Sequence, residues 1–152
     1  VAHRVKKLKG LNSFCTDFLL AQLEEAEKIN NARLASWHHY QERLAPLEQE
    51  GKLKIAHIPE GCSHNAHMFW IKLRDLEERT AMIAYLKKHD IYSMFHYVPL
   101  HSAEAGLKFG RFAGEDVYTT KESNRLTRLP MYYGLTEEEV NTVVETVKGF
   151  WR

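Results

Sequence analysis

Cysteine is scarce in this chain: two residues, Cys15 and Cys62, far apart in sequence. A disulfide framework needs more of them, so the count favours a reducing cytoplasm, with a single Cys15–Cys62 bridge left open. Neither belongs to a CxxC pair, which removes the usual structural zinc sites. An excess of charge of one sign is lacking too. Lys and Arg number 21 against 20 Asp and Glu, a net +1 with neutral histidines. Nucleic acid and anionic membranes select a basic excess, and none is present. No apolar run approaches the roughly 18 residues that span a bilayer. Several catalytic signatures are missing as well: there is no GxSxG elbow, no GxGxxG, no phosphate-cradling Gly-Lys-Ser/Thr run and no HExxH.

What remains is a globular composition, 44% apolar and 27% charged over 152 residues, enough for one domain with its own core. The chain opens on "VAHRVKKLKG", where Arg4, Lys6, Lys7 and Lys9 have no acid among them and no apolar stretch follows as in a secretory leader. Residues 1–12 are read as an appended or truncated edge, with processing the lesser reading, so the chain is expected to be a piece of something longer.

From Thr16 or Asp17 the row Leu20, Leu23, Ala26, Asn30, Leu34, Trp37, Gln41, Leu44 steps by three and four. It predicts one amphipathic helix ended by Pro46 or Gly51. About 28 residues would make it roughly 42 Å long at 1.5 Å per residue, long for so small a domain. "KLKIAHI" (52–58) and "HMFWIKL" (67–73) read as strands. "DLEERTAMIAYLKKHD" opens on Asp75 and Glu78 at capping-box spacing and predicts a helix to about His89. "IYSMFHYV" (91–98) reads as a third strand, its start buried, stopped by Pro99. A short helical turn and a loop follow. Thr119 and Glu122 open a short helix expected to end before Pro130. Thr136 and Glu139 then cap a last helix whose buried face is Val140, Val143, Val144, Val147 and Trp151. The sum is an α+β arrangement, a small three-stranded sheet with helices packed on it.

Nine histidines raise a metal hypothesis. His64 and His67 are spaced HxxH, His96 and His101 lie five apart, and His38 and His39 are adjacent. The HxxH pair straddles a loop and a strand start, however, so ordinary histidines bonded to backbone are the preferred reading and no metal is expected. "FHYVPLH" is more pointed. His96, Tyr97 and His101 surround Pro99 at a strand's mouth, either capping exposed backbone or forming a donor-rich rim for an anionic or polyhydroxylated ligand.

Four segments taken in order, "TDFLLAQLEEAEKINNARLASWHHYQERL", "NAHMFWIKLRDLEERTAMIAYLKKHDI", "FHYVPLH" and "YTTKESNRLTRLPMYYGLTEEEV", resemble the C-terminal part of the sugar-nucleotide aminotransferases (the DegT/DnrJ/EryC1/StrS family). The likeness covers about Thr16 to Arg152. It implies the C-terminal small domain of an aspartate-aminotransferase-type (fold type I) enzyme using pyridoxal phosphate. Residues 13–51 would be the helix leading in, residues 52–152 the small domain, and the large cofactor domain would be absent. The implied reaction moves an amino group, from glutamate, onto a dTDP-4-keto-6-deoxyhexose for cell-surface polysaccharide such as enterobacterial common antigen or lipopolysaccharide. The full-length enzyme would be a homodimer. The Schiff-base lysine would lie outside this chain, so no catalytic residue and no cofactor binding are expected of it alone. Lys121 is then a surface residue despite its flanking threonines. His96, Tyr97 and His101 become the substrate contacts, aimed by Pro99. Asn65 and His67 are structural, and Pro130 and Met131 are packing residues at the sheet edge. The alternative is a stand-alone module that binds a ligand or partner without chemistry.

Overall fold

The computed structural model describes residues 13–152, with side chains from Thr16 onward. The expectation for residues 1–12 and the fate of the Cys15 thiol fall outside the described residues; Cys62 is an exposed thiol.

The first helical stretch comes as two helices, α1 (Ser13–Glu24) and α2 (Ala26–Gln49). Pro46 does not end α2 but sits inside its last turn. The stop is set by Gly51 at φ +70°. The Lys52 amide donates to the Leu47 carbonyl (3.0 Å) and the Gly51 amide to Glu48 (2.9 Å), a closure that needs a left-handed residue, where glycine carries no Cβ penalty. The apolar stripe is shorter than its sequence period. Ser36, Trp37, Tyr40, Leu44 and Leu47 are buried, whereas Phe18, Leu19 and Leu23 in α1 face solvent.

The sheet has four strands, not three. They are β1 (Lys54–Ile55), β2 (Phe69–Lys72), β3 (Met94–Phe95) and β4 (Leu126–Leu129), in the order β1-β2-β4-β3 and antiparallel throughout. The unexpected strand comes from the segment assigned to a helix reaching Pro130: helix α5 stops at Arg125 and the chain turns extended. Leu126-Thr127-Arg128-Leu129 alternates, Thr127 and Leu129 buried and their neighbours half-buried, which suits a pleated surface and not a helix. Because β4 is paired on both sides, Pro130 terminates an interior strand rather than lying at a sheet edge. The strand expected over 91–98 is paired only at Met94 and Phe95, both exposed. The remaining helices are α3 (Leu76–Lys88), α4 (Glu104–Phe109), α5 (Thr119–Arg125) and α6 (Glu137–Gly149).

One sheet face is the core. Ile55, Phe69, Ile71, Thr127 and Leu129 meet Trp37, Tyr40 and Leu44 of α2, Met82 and Leu86 of α3, and the four valines of α6. Phe69 takes Trp37 edge-on at 5.5 Å and stacks on Tyr40 at 5.0 Å between ring centres. Burying each large apolar side chain contributes about 1.5–3 kcal/mol. The Tyr40 hydroxyl donates to the Pro130 carbonyl (3.1 Å), tying α2 to the end of β4; burial first, then Tyr132 and Glu139, push its pKa up. The opposite face shows Lys54, Trp70, Lys72, Arg128 and Met94, with Trp70 and Met94 each paired to Arg128.

Two of the three caps expected from the sequence hold, those at Asp75 and Thr136. Asp75 accepts from the Glu78 amide (2.8 Å), while the Glu78 carboxylate reaches back one residue further, to the Arg74 amide. Thr136 and Glu139 form a complete box. Replacing Thr136 with Ala should therefore lower stability by about 1 kcal/mol, and Thr136→Ser should retain most of it. Urea unfolding checks this; an unchanged midpoint for T136A would mean that the valine face alone fixes α6.

Candidate functional site

The site begins where β3 ends. His96 and Tyr97 follow Phe95 directly, their rings 4.5 Å apart. The backbone they stand on is held from two sides. Ser123 of α5 donates its hydroxyl to the Tyr97 carbonyl, and the Pro99 carbonyl accepts from the Ser102 and Ala103 amides at 3.1 and 3.0 Å. Helix α4 presses on the same turn so closely that a Cβ on Gly106 would stand 1.6 Å from the Leu100 carbonyl oxygen; only glycine leaves room there.

His96 is half-buried, and its Nδ1 is buried with no hydrogen-bond partner among the described residues. Burial, then the nearby Arg128 and His67 charges, lower its pKa, so at neutral pH the imidazole is uncharged and can either donate or accept. Arg128 reaches this corner from β4, its guanidinium carbon 5.8 Å from the Tyr97 ring centre, and its Nε too is buried and unpartnered. Hollows flank the cluster on two sides. One of about 330 Å³ is lined by His96, Tyr97, Pro99, Thr119 and Glu122. Another of about 240 Å³ is lined by His67, Tyr92, Met94, Arg128 and Met131.

His101 points elsewhere. Its Nε2 lies 2.8 Å from an Asp116 carboxylate oxygen and 3.3 Å from the Thr120 hydroxyl, and its ring lies 4.6 Å from that of Phe112. Asp116 also accepts from the Thr120 amide and hydroxyl. This caps α5 in place of the Thr119 and Glu122 pair expected from spacing. The Thr120 hydroxyl, ahead of the His101 charge, holds the Asp116 carboxyl below its ordinary range. Of the three expected contact residues, the structure thus brings together His96 and Tyr97 and commits one nitrogen of His101 to a buttress behind them.

Arg128, Asp116 and Thr120 escaped sequence reasoning. Arg128 carried a signal, a cation alternating with leucine and threonine just before a proline. Asp116, in a glycine-punctuated loop, carried none. Asn65 and His67 shape a turn, the Asn65 side chain accepting from the His67 amide (3.3 Å) beside Ala66 at φ +50°. His64 packs on Trp37 at 4.5 Å, His39 bonds Asn141, and Lys121 is exposed on α5. Among the described residues no group of three His, Cys, Asp or Glu converges as a metal site would require, and no helix is long and apolar enough to cross a membrane.

The electrostatics of the corner can be checked directly. Replacing Arg128 with Met removes a like charge, so the His96 titration midpoint should rise toward the ordinary imidazole value, followed through its ring proton by NMR. A midpoint that stays put would place Arg128 too far away to act on His96.

Comparison with known proteins bears on the family and the fold. The family model described as DegT/DnrJ/EryC1/StrS aminotransferase matches residues 7–148. The fold is similar to that of an aminotransferase, TlmJ, from Streptoalloteichus hindustanus (TM-score 0.79, 21% identity, covering 90% of this chain and 35% of that one). It is similar as well to S. venezuelae DesV, solved with a ketimine intermediate (TM-score 0.82, 20% identity, covering 93% and 37%). A third likeness is to NtdA of Bacillus subtilis with bound PMP cofactor (TM-score 0.69, 26% identity, covering 80% and 28%). The chain spans about a third of the length of these structures. With most of its residues inside the family match, the chain belongs to the DegT/DnrJ/EryC1/StrS aminotransferase family.

Proposed function

We propose that this chain is the C-terminal small domain of a pyridoxal-phosphate-dependent sugar-nucleotide aminotransferase and forms one wall of its substrate cleft. The observation that carries the reading is the buried, unpartnered Nδ1 of His96 beside the Tyr97 ring. A buried polar atom without a partner is rare unless a ligand or water completes it, and an imidazole next to a phenol suits the hydroxyls of a sugar. Residues 13–51 lead into the domain and residues 52–152 build it. His101 contributes from behind, its Nε2 spent on Asp116 and Thr120 so that it buttresses the turn carrying the rim. Within the family the closest reading is dTDP-4-amino-4,6-dideoxygalactose transaminase, taking the amino group from glutamate to a dTDP-4-keto-6-deoxyhexose for enterobacterial common antigen or lipopolysaccharide, in the cytoplasm and as a homodimer.

The cofactor requires a lysine amine that loses its proton. The described lysines do not fit that role. Lys28, Lys52, Lys72 and Lys148 are ion-paired with Glu25, Glu50, Glu122 and Glu145, and Lys121 and the rest stand in solvent, away from any enclosed site. The amine and the phosphate seat are therefore assigned to a large domain that this chain docks against. A run of exposed apolar residues near the site supports that docking face: Leu100 is 85% exposed, Leu107 71% and Phe109 81%. Apolar patches of several hundred Å² mark contact surfaces.

The full-length polypeptide, supplied with pyridoxal phosphate, glutamate and a dTDP-4-keto-6-deoxy sugar, should form the 4-amino sugar nucleotide, read by mass spectrometry. His96→Ala and Tyr97→Phe should each lower kcat/KM for the sugar nucleotide roughly tenfold. Absence of turnover with any keto-sugar nucleotide would leave the stand-alone binding module as the better account. The separated chain should self-associate through its bare apolar face; size-exclusion chromatography showing a monomer at high concentration would count against the docking surface.

A further inference from the structure

We infer that the hollow between the chain leaving α3 and the first turns of α6 is a binding site for a small organic cation, an ammonium carried on an apolar body. The hollow measures about 500 Å³, a size suited to a small molecule. None of its lining residues belongs to the His96–Tyr97 rim, and only Tyr92 is shared with the hollow beside Arg128. Its floor is apolar, since Ile91, Leu135 and Val143 are all buried there. Tyr92 and Tyr132 also line it and keep much of their ring surface exposed. Two phenols over aliphatic side chains suit the apolar body of a ligand.

Charge decides which apolar ligand fits. Asp90 and Glu139 line the hollow, and no Lys, Arg or His does. The Asp90 carboxylate has no hydrogen bond and no ion pair among the described residues. Glu139 is engaged by neutral groups alone. One oxygen accepts from the Thr136 amide and hydroxyl (2.8 and 2.9 Å), the other from the Tyr132 hydroxyl (3.2 Å). These donors, the Thr136 amide first, hold the Glu139 carboxyl below its ordinary range, so it is charged at neutral pH. An ammonium entering the hollow is attracted by both carboxylates and by the tyrosine rings, whose faces are negative. The same two acids repel phosphate and carboxylate groups, which separates this hollow from any seat for an anionic part of the substrate. A neutral ligand gains the floor and none of the charge attraction. Because both acids stay in contact with water, the signature is discrimination between cation and neutral rather than tight binding.

The test is a titration with benzylamine, a cation at neutral pH, and separately with benzyl alcohol, its neutral counterpart of the same size. The Tyr92 and Tyr132 ring resonances are followed by NMR. Saturable shifts at both rings are expected, with benzylamine bound about tenfold more tightly than the alcohol. Asp90→Asn and Glu139→Gln should each weaken benzylamine about threefold and leave the alcohol unchanged. Both replacements suit their places: Asn tolerates the φ of +60° at position 90, and Gln serves in a capping box as Glu does. Unchanged binding of the alcohol also shows that the hollow survives each substitution. With both replacements combined, the two probes should bind alike. Equal binding of the two probes to the unaltered chain, or no shift at either tyrosine, would sink the inference. So would a preference for benzylamine that persists in the double variant. The same titration of the full-length polypeptide should give the same preference; failure there, with binding to the separated chain, would mean that the rest of the polypeptide covers the hollow and no free cation enters it.

Discussion

Four residues, Leu126 to Leu129, divide the molecule into a core and a site. The strand they form is hydrogen-bonded to β2 on one side and β3 on the other, so its side chains alternate between two faces with no freedom of register. Thr127 and Leu129 close the core, and the Thr127 hydroxyl donates to the Met94 carbonyl (3.1 Å), locking β3 on. Arg128 is sent to the other face by the same alternation. A one-residue slip would put a guanidinium among Phe69, Ile71 and Tyr40, which nothing there could compensate. The apolar packing of α2, α3 and α6 thus fixes where the charge of the site stands.

The His96–Tyr97 loop is held differently, by contacts to two short helices rather than by a ladder. Ser123 of α5 bonds the Tyr97 carbonyl, and α4 abuts the Leu100 carbonyl at Gly106. The carboxylates here serve structure. Glu122 joins Lys72 and Arg125 across the sheet and α5, and Asp116 caps α5 while holding His101. With the acids spent on neighbours, the corner between the strands is left with donors and weak bases, a composition that attracts anions and hydroxyls.

Much of this was legible from local pattern. The Asp75 and Thr136 caps, the valine face of α6 and the pairing of His96 with Tyr97 all depend on residues within a turn of one another. The failures share a cause in long-range contacts. β4 is four residues long, directly follows a helix, and is held extended by partners distant in the chain: the Leu73 amide meets the Arg125 carbonyl, and the Arg125 side chain returns a bond to the Leu73 carbonyl across 52 positions. No period can be read from so short a run. Arg128 was hidden with it, since its role comes from the strand that carries it. His101 was misplaced because Pro99 begins a turn that carries the chain toward Asp116, a partner that spacing did not reveal. The helical stripe was drawn too long because a sequence period marks which face would be buried, not whether a layer is there to bury it.

The strand order also constrains how the chain can fold. β1 and β2 can pair as soon as both exist, but a two-stranded ribbon is marginal by itself. β3 has nothing to pair with until a segment made later slides between it and β2. Until then β2 and β3 keep open edges, β3 bearing the exposed Met94 and Phe95, the kind of surface that recruits another chain. Such late, non-local closure slows folding. A polypeptide interrupted before Leu126 would be left with α-helices, a lone ribbon and an unsatisfied strand, and cellular quality control would meet it as an aggregation-prone chain rather than as a smaller stable domain.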